Sequence, residues 1–306
     1  MFDQVRFSYG ERVALDGLSL VVPRGSIFGL LGPNGSGKST LISLLVGRRV
    51  AEGGDVRLLG SAPSAAMRAR VGVVFQEPSL DAGMTVRETM QLQARLFGLR
   101  GDDAQRDVAE LLERVGLDER ASSFTSTLSG GMKRRLELAR ALVTRPDAIL
   151  LDEPTLALDP DSKQALWEHL SEANGAGRTL LLATNDVYEA ERYCDTVALL
   201  DHGRVVEQGT PAELKRDLRA DAVRIEWRDD PAPVVAALDA QPGVGHVRLA
   251  GRTTHVTVDE ASAFLTRIFQ QWGDAITGVH IEPSTLEDVY FQLVGSAIVD
   301  ERGAAS

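Results

Sequence analysis

Nine consecutive residues, Gly32-Pro33-Asn34-Gly35-Ser36-Gly37-Lys38-Ser39-Thr40, have the spacing G-x-x-x-x-G-K-[ST] of a phosphate-cradling loop. Glycines let successive N–H groups turn inward toward phosphate oxygens, and a helix starting there adds partial positive charge. Lys38 is expected to reach the β- and γ-phosphates of a nucleotide, and the Ser39 hydroxyl to hold magnesium. Further on, an apolar run ends in Asp152-Glu153. Paired carboxylates are costly to bury without a cation or a shared proton. Magnesium supplies the cation, with Asp152 as its water-bridged ligand and Glu153 polarising an attacking water. Ser129-Gly130-Gly131 precedes an apolar stripe of Met132, Leu136, Ala139 and Val143. It reads as a second anion site, or as a helix start whose glycines serve only the turn. Gln76 follows the apolar run 71–75, where its amide suits a metal-bound water and equally suits a surface loop. Tyr9 is either a platform for a nucleotide base or an ordinary strand-end aromatic.

These residues need elements to hold them. Residues 26–31 are short, apolar and bounded by Pro23 and Gly25, which predicts a buried strand; residues 38–46 carry helical spacing and stop at Gly47. Strand, glycine turn and helix are the setting the phosphate motif requires. Residues 5–9 and 18–22 read as a hairpin with Gly10 and Asp16-Gly17 at its turn. Residues 56–59, 71–75, 146–151 and 180–184 read as further strands. Between them, residues 77–117 turn helical, opened by a Thr85/Glu88 capping box and followed by a helix over 102–115. Asp159-Pro160 leads into a helix over 162–173, and a charged helix over 212–219 leaves this region.

The chain has 306 residues, enough for two domains, and its 43% hydrophobic and 25% charged content is that of a globular protein. A net charge of -11 argues against a general nucleic-acid binder, which needs clustered Lys and Arg. The lone Cys194 has no partner for an internal disulfide, which fits a reducing compartment. No basic-then-apolar leader opens the sequence and no apolar run approaches ~18 residues, so a soluble cytoplasmic protein is expected.

Residues 222–294 read as a separate small domain with strands over 223–227, 246–249, 254–258 and 276–281. Helices over 233–238 and 261–272 complete the order β-α-β-β-α-β, a ferredoxin-like sandwich. His246, His255 and His280 are scattered among its strands and are read as structural. Ser284 is expected to cap a helix whose start Glu287 and Asp288 complement. The tail beyond about Ile298 is expected to be mobile.

Taken together, the phosphate loop 32–40, Gln76, the Leu128-Ser129-Gly130-Gly131-Met132 stretch, Asp152-Glu153 and Asp159 resemble the ATP-binding cassette of ABC transporters. The resemblance covers roughly residues 1–220. It implies an α/β fold of the P-loop NTPase class, an inserted helical subdomain at about 77–145, and a small C-terminal α+β (ferredoxin-like) domain over 221–298, with a tail at 299–306. It further implies an ATP hydrolase using ATP and Mg2+, working as a head-to-tail dimer with a second cassette and docking on a separate transmembrane permease. Lys38 of one copy and Ser129-Gly130-Gly131 of the other would hold one ATP, Tyr9 would stack on adenine, and Gln76 would couple the magnesium site to the helical subdomain. Two positions depart from the family pattern. Asn185 stands where a γ-phosphate-contacting histidine is usual, and an amide carries neither proton nor charge. Leu156-Ala157 precede Leu158-Asp159 where a glycine is common. Residues 282–290 resemble a C-terminal motif of the daunorubicin-type drug-resistance exporters and their relatives. A kinase or GTPase shares the first loop but not the second glycine helix start; a soluble cassette ATPase of DNA repair or the ribosome shares all the motifs.

Overall fold

The computed structural model describes residues 1–216, 221–282, 284–294 and 298. The chain parts into two compact units, Met1–Val206 and Glu207–Ser306. In chain order the first carries β1 (Phe2–Tyr9), β2 (Arg12–Leu20), β3 (Ile27–Leu31), α1 (Lys38–Leu45), β4 (Gly53–Val56), α2 (Ala65–Arg68) and β5 (Val71–Val74). There follow α3 (Val86–Leu96), α4 (Gly101–Arg114), α5 (Gly130–Leu142), β6 (Ala148–Asp152) and α6 (Pro160–Gly175). The unit closes with β7 (Thr179–Thr184), α7 (Val187–Tyr193), β8 (Thr196–Asp201) and the first residues of β9 (Arg204–Gly209).

A six-stranded sheet runs β5-β6-β7-β3-β8-β9, with β5, β6, β7, β3 and β8 pairing in parallel. Every residue of β3 and β6 is buried, as expected of strands covered on both faces. Parallel strands put their C-terminal ends on one edge, where such sheets bind ligands. That edge receives the phosphate loop from β3, Gln76 from β5, Asp152-Glu153 from β6 and Asn185 from β7. A smaller antiparallel sheet, β2-β1-β4, adjoins the same core through Phe2, Val5, Leu15 and Leu18.

The expected hairpin forms with a different turn. Tyr9 pairs with Arg12, so the chain reverses at Gly10-Glu11, and Asp16-Gly17 lies inside β2 opposite Arg6. The ladder there is irregular, with register shifts on either side of the Arg6–Leu15 segment, and Gly17 adopts φ +68°. A turn dipeptide has been used for a bulge. The strand expected over 56–59 occurs instead as β4, which pairs with β1 through Phe2↔Val56. Helices α3, α4 and α5 share their own core of Val86, Met90, Val108, Leu112, Leu136 and Ala139. The Thr85/Glu88 capping box is present at α3.

The second unit holds α8 (Pro211–Arg216), β10 (Asp221–Trp227), α9 (Ala232–Asp239), β11 (Val244–Ala250), β12 (Thr253–Val258), α10 (Ala261–Trp272), β13 (Ile276–Glu282) and α11 (Leu286–Val294). Its antiparallel sheet has the order β11-β12-β10-β13, which with β-α-β-β-α-β connectivity is the ferredoxin-like arrangement. Val223, Ile225, Val256, Phe264 and Ile268 fill its core, and the Trp227 indole donates to Thr254 Oγ1 at 2.9 Å. On the other face, His255 and His280 flank Arg224 in register, so these two histidines are aligned and not scattered. Arg224 binds Glu226 and Glu282, each at 2.6 Å, and Arg248 binds Glu287 at 2.5 Å. Among the described residues, no group of three or more His, Cys, Asp or Glu side chains is arranged to hold a metal ion. The cap of α11 is Thr285 and not Ser284: Thr285 Oγ1 accepts from Asp288 N–H, and Asp288 accepts from Thr285 N–H in return. The end of the helix expected over 212–219, the side chain of His246 and the tail at 299–306 lie outside the described residues.

Candidate nucleotide-binding and hydrolysis site

Between β3 and α1 the loop is shaped by contacts that only glycine permits. A Cβ on Gly32 would stand 2.3 Å from Leu200 O, and one on Gly37 (φ +109°) 2.8 Å from Ala14 O. The loop borders a cavity of about 380 Å³ lined by Tyr9, Arg12, Ala14, Asn34, Gly35, Gly37, Lys38, Ser39, Thr40, Gln76 and Glu153. Residues from β1, β2, β5, β6 and α1 thus meet around one space.

Lys38 is buried, and its Nζ donates to Gly32 O at 2.7 Å and Pro33 O at 3.1 Å. Its Nζ stands 3.7 Å from Glu153 Oε1, an ion pair without a hydrogen bond. Burial lowers the Lys38 pKa, against the upward pull of Glu153 and Asp152. Burial likewise pushes Glu153 up to about 7, with Lys38 and the Asn185 backbone amide pulling it down. A carboxyl poised there suits a general base at neutral pH. Glu153 also sits at φ 45°, a conformation that costs a non-glycine residue on the order of 1–2 kcal/mol. Ser39 Oγ donates to Asp152 Oδ1 at 3.0 Å, and burial raises the Asp152 pKa. Asn185 is buried at the end of β7, where the Glu153 N–H donates to the neighbouring Ala183 O at 2.8 Å.

Beside the phosphate loop, Glu153 Oε1 and Ser36 Oγ are buried without a hydrogen-bond partner. Orphaned polar groups are costly, and at a phosphate loop they are complementary to a polar ligand with its cation. Ser39, Gln76 and Asp152 supply oxygen donors of the kind Mg2+ takes, beside Lys38 and the phosphate loop. The residues fit a nucleotide with magnesium.

Ser129, Gly130, Gly131 and Asp159 do not line this cavity. They form a second cluster where the starts of α5 and α6 converge. Ser129 caps α5 by accepting from Met132 N–H, and Asp159 caps α6 by accepting from Ser162 N–H and Oγ. A Cβ on Gly131 would stand 2.4 Å from Ser162 Oγ.

Four residues that sequence reasoning passed over belong to the site. Arg12 lines the cavity, with its Nη2 2.6 Å from where a Gly35 Cβ would be. Arg49 lays its guanidinium 5.2 Å from the Tyr9 ring centroid. Arg134 of α5 binds backbone carbonyls beside Gln76 and at Glu153. Glu189 of α7 accepts from Thr155 Oγ1 behind the Glu153 turn and lies 3.5 Å from Lys163, which also binds Asp186. Only Arg12 had a local signal, a basic residue three positions after Tyr9. Trp167 of α6 stacks on Tyr193 of α7 at 3.9 Å between centroids.

This fold and site define a P-loop ATP-binding cassette. The sequence profile described as "ABC transporter" matches residues 15–156. The chain is 40% identical over 303 residues, 98% of its length and 98% of the other's, to the "Nod factor export ATP-binding protein I" of Paraburkholderia xenovorans (strain LB400). The solved ATP-binding subunit of an ABC transporter superposes with a TM-score of 0.65 at 32% identity, over 71% of this chain and 91% of that one. A dimeric cassette in a post-hydrolysis state, bound to ADP and Pi, superposes with a TM-score of 0.63 at 27% identity, over 68% of this chain and 97% of that one. The chain belongs to the ABC transporter family, as an ATP-hydrolysing cassette.

Proposed function

We infer that this chain powers an exporter whose membrane-spanning permease is a separate subunit. The observation that carries this reading is the constellation of buried Lys38, Asp152 and Glu153 with the Ser39 hydroxyl on Asp152, beside the phosphate loop. Two cassettes pack head to tail, so that each ATP lies between Gly32–Thr40 of one protomer and Ser129–Gly131 of the other. Loop amides and Lys38 hold the β- and γ-phosphates and stabilise charge on the transferring phosphoryl group. Ser39, Gln76 and Asp152 would hold Mg2+, which would neutralise phosphate charge when bound. Glu153 accepts a proton from the attacking water, and its elevated pKa suits it to do so. Tyr9 offers its half-exposed ring to the adenine. Asn185 donates to the γ-phosphate without charge, which makes hydrolysis slow.

Export is supported by the full-length likeness to a protein named for Nod factor export. The segment Glu282–Tyr290 supports placement in the drug-resistance branch of exporters. No helix among the described residues is long and apolar enough to cross a membrane. In this reading the cassette works at the inner face of the membrane through its permease. Glu153→Gln tests this, because it holds ATP without turnover and traps the closed dimer. Membranes from cells making it are solubilised with ATP present, and co-purifying proteins identified. A multi-span protein in stoichiometric amount is expected. Recovery only from the soluble fraction, with ribosomes or DNA-repair proteins, overturns the exporter reading.

A further inference from the structure

The second helix turn of α5 carries a buried guanidinium with an unusual set of partners. Arg134 Nη2 donates to Glu153 O at 2.6 Å, its Nε to Pro154 O at 2.5 Å, and its Nη1 to Phe75 O at 2.5 Å. Nη1 also reaches Glu137 Oε2 at 3.0 Å, one turn further along the helix. Glu137 in turn accepts from Ser79 N–H at 2.8 Å through its other oxygen. Both side chains are almost wholly buried. Burying this charge pair has a desolvation cost that an apolar pair avoids. What it yields is geometry: a planar fork that binds three carbonyls in two chain segments from one helix. Phe75 O belongs to the residue before Gln76, and Glu153 O to the candidate base itself. The same helix begins at Ser129, Gly130 and Gly131.

We propose that Arg134 is a positioning residue that ties the α5 N-terminus to the Glu153 turn and the Gln76 segment, so that nucleotide engagement at Ser129–Gly131 sets hydrolytic geometry in the same protomer. This rests on the head-to-tail dimer proposed above. A shift of α5 on meeting the partner's γ-phosphate carries the guanidinium with it, and both carbonyl segments follow. Coupling through backbone carbonyls moves the peptide units of Glu153 and Phe75 and not their side chains alone. Each dimer thus fires only when its signature helices are seated.

The test uses the full chain with Arg134→Lys, which keeps the charge beside Glu137 but replaces the fork by a single point of donation. Hydrolysis, nucleotide affinity and ATP-driven dimerisation are measured, the last two in the Glu153→Gln background. Arg134→Lys is expected to lower kcat tenfold or more, with affinity and dimerisation within twofold. Glu137→Gln, which leaves the three carbonyl links in place, is expected to change kcat less than threefold. Equal losses of kcat, affinity and melting temperature would mark Arg134 as merely structural and overturn the proposal, as would kcat within twofold of the parent. A Glu137→Gln loss as large as that of Arg134→Lys would also overturn it. If Arg134→Lys does not fold, hydrogen exchange in the Glu153→Gln dimer decides. Peptides around Phe75 and Glu153 should gain protection together with ATP and lose it together on Ser129→Arg; independent behaviour refutes the coupling. Failure of Glu153→Gln itself to dimerise with ATP would instead refute the dimer reading, so the two failures are distinguishable.

Discussion

At the C-terminal edge of the parallel sheet, Lys38 and Glu153 lie buried 3.7 Å apart, and a carboxylate oxygen and the Ser36 hydroxyl have no hydrogen-bond partner. On the antiparallel sheet of the second unit the polar groups complete one another. Arg224 is bound on both sides by Glu226 and Glu282, Arg248 by Glu287, and the Trp227 indole by Thr254. Folding alone favours the second arrangement, since unmet buried polar groups cost about 1–3 kcal/mol each. The first persists where a ligand completes it. The contrast separates a reaction site from a scaffold within one chain, and it explains why the aligned His255, Arg224 and His280 are no substitute for a catalytic constellation.

The comparison breaks or sharpens under substitution. Lys38→Ala removes the cation proposed to face the transferring phosphate, and kcat/KM for ATP should fall on the order of 10²–10³-fold, measured by phosphate release. Activity near that of the parent would show that the unmet polar groups at this edge are not catalytic. Thr254→Val leaves a buried indole N–H unpaired, which should cost about 1–3 kcal/mol in thermal or denaturant unfolding while turnover stays unchanged. A loss of turnover there would make the second unit part of the reaction machinery. Asn185→His restores a proton carrier at the end of β7, and hydrolysis should rise roughly tenfold, about 1.4 kcal/mol of barrier. A variant no faster than the parent refutes the account of slow hydrolysis. Arg12→Ala should have the smallest effect, about threefold weaker ATP binding by fluorescence titration, because the side chain is exposed. Adenosine binding, which involves no phosphate, should not change.

The sequence disclosed what depends on local spacing. The phosphate loop, the Thr85 capping box and the buried strands ending at Gln76 and Asp152 all carry their geometry in neighbouring residues. The ferredoxin-like order of the second unit was equally visible, because its alternating strands and amphipathic α10 are short-range patterns. What stayed hidden depends on residues distant in sequence. Arg134 meets carbonyls 19 to 59 positions away, and Glu189 meets Thr155 34 positions away. The misplaced hairpin turn has another cause: Asp16-Gly17 has turn chemistry, and only pairing to Arg6 shows it spent on a bulge. Ser284 and Thr285 are both good caps, and the choice fell to the one with Asp288 three residues on.

The stacking of Trp167 on Tyr193 has a practical consequence for optical work. Of the three tryptophans, Trp227 and Trp272 belong to the second unit and meet edge to face with their centroids 6.4 Å apart. Replacing both by Phe leaves Trp167 as the one tryptophan of the chain, on the helix capped by Asp159, and excitation selective for indole reads it apart from the four tyrosines. Its indole is fully buried against a tyrosine. Emission from that variant therefore reports on the α6–α7 contact alone, and a nucleotide-dependent change in its intensity would time the cassette's internal movement without a label.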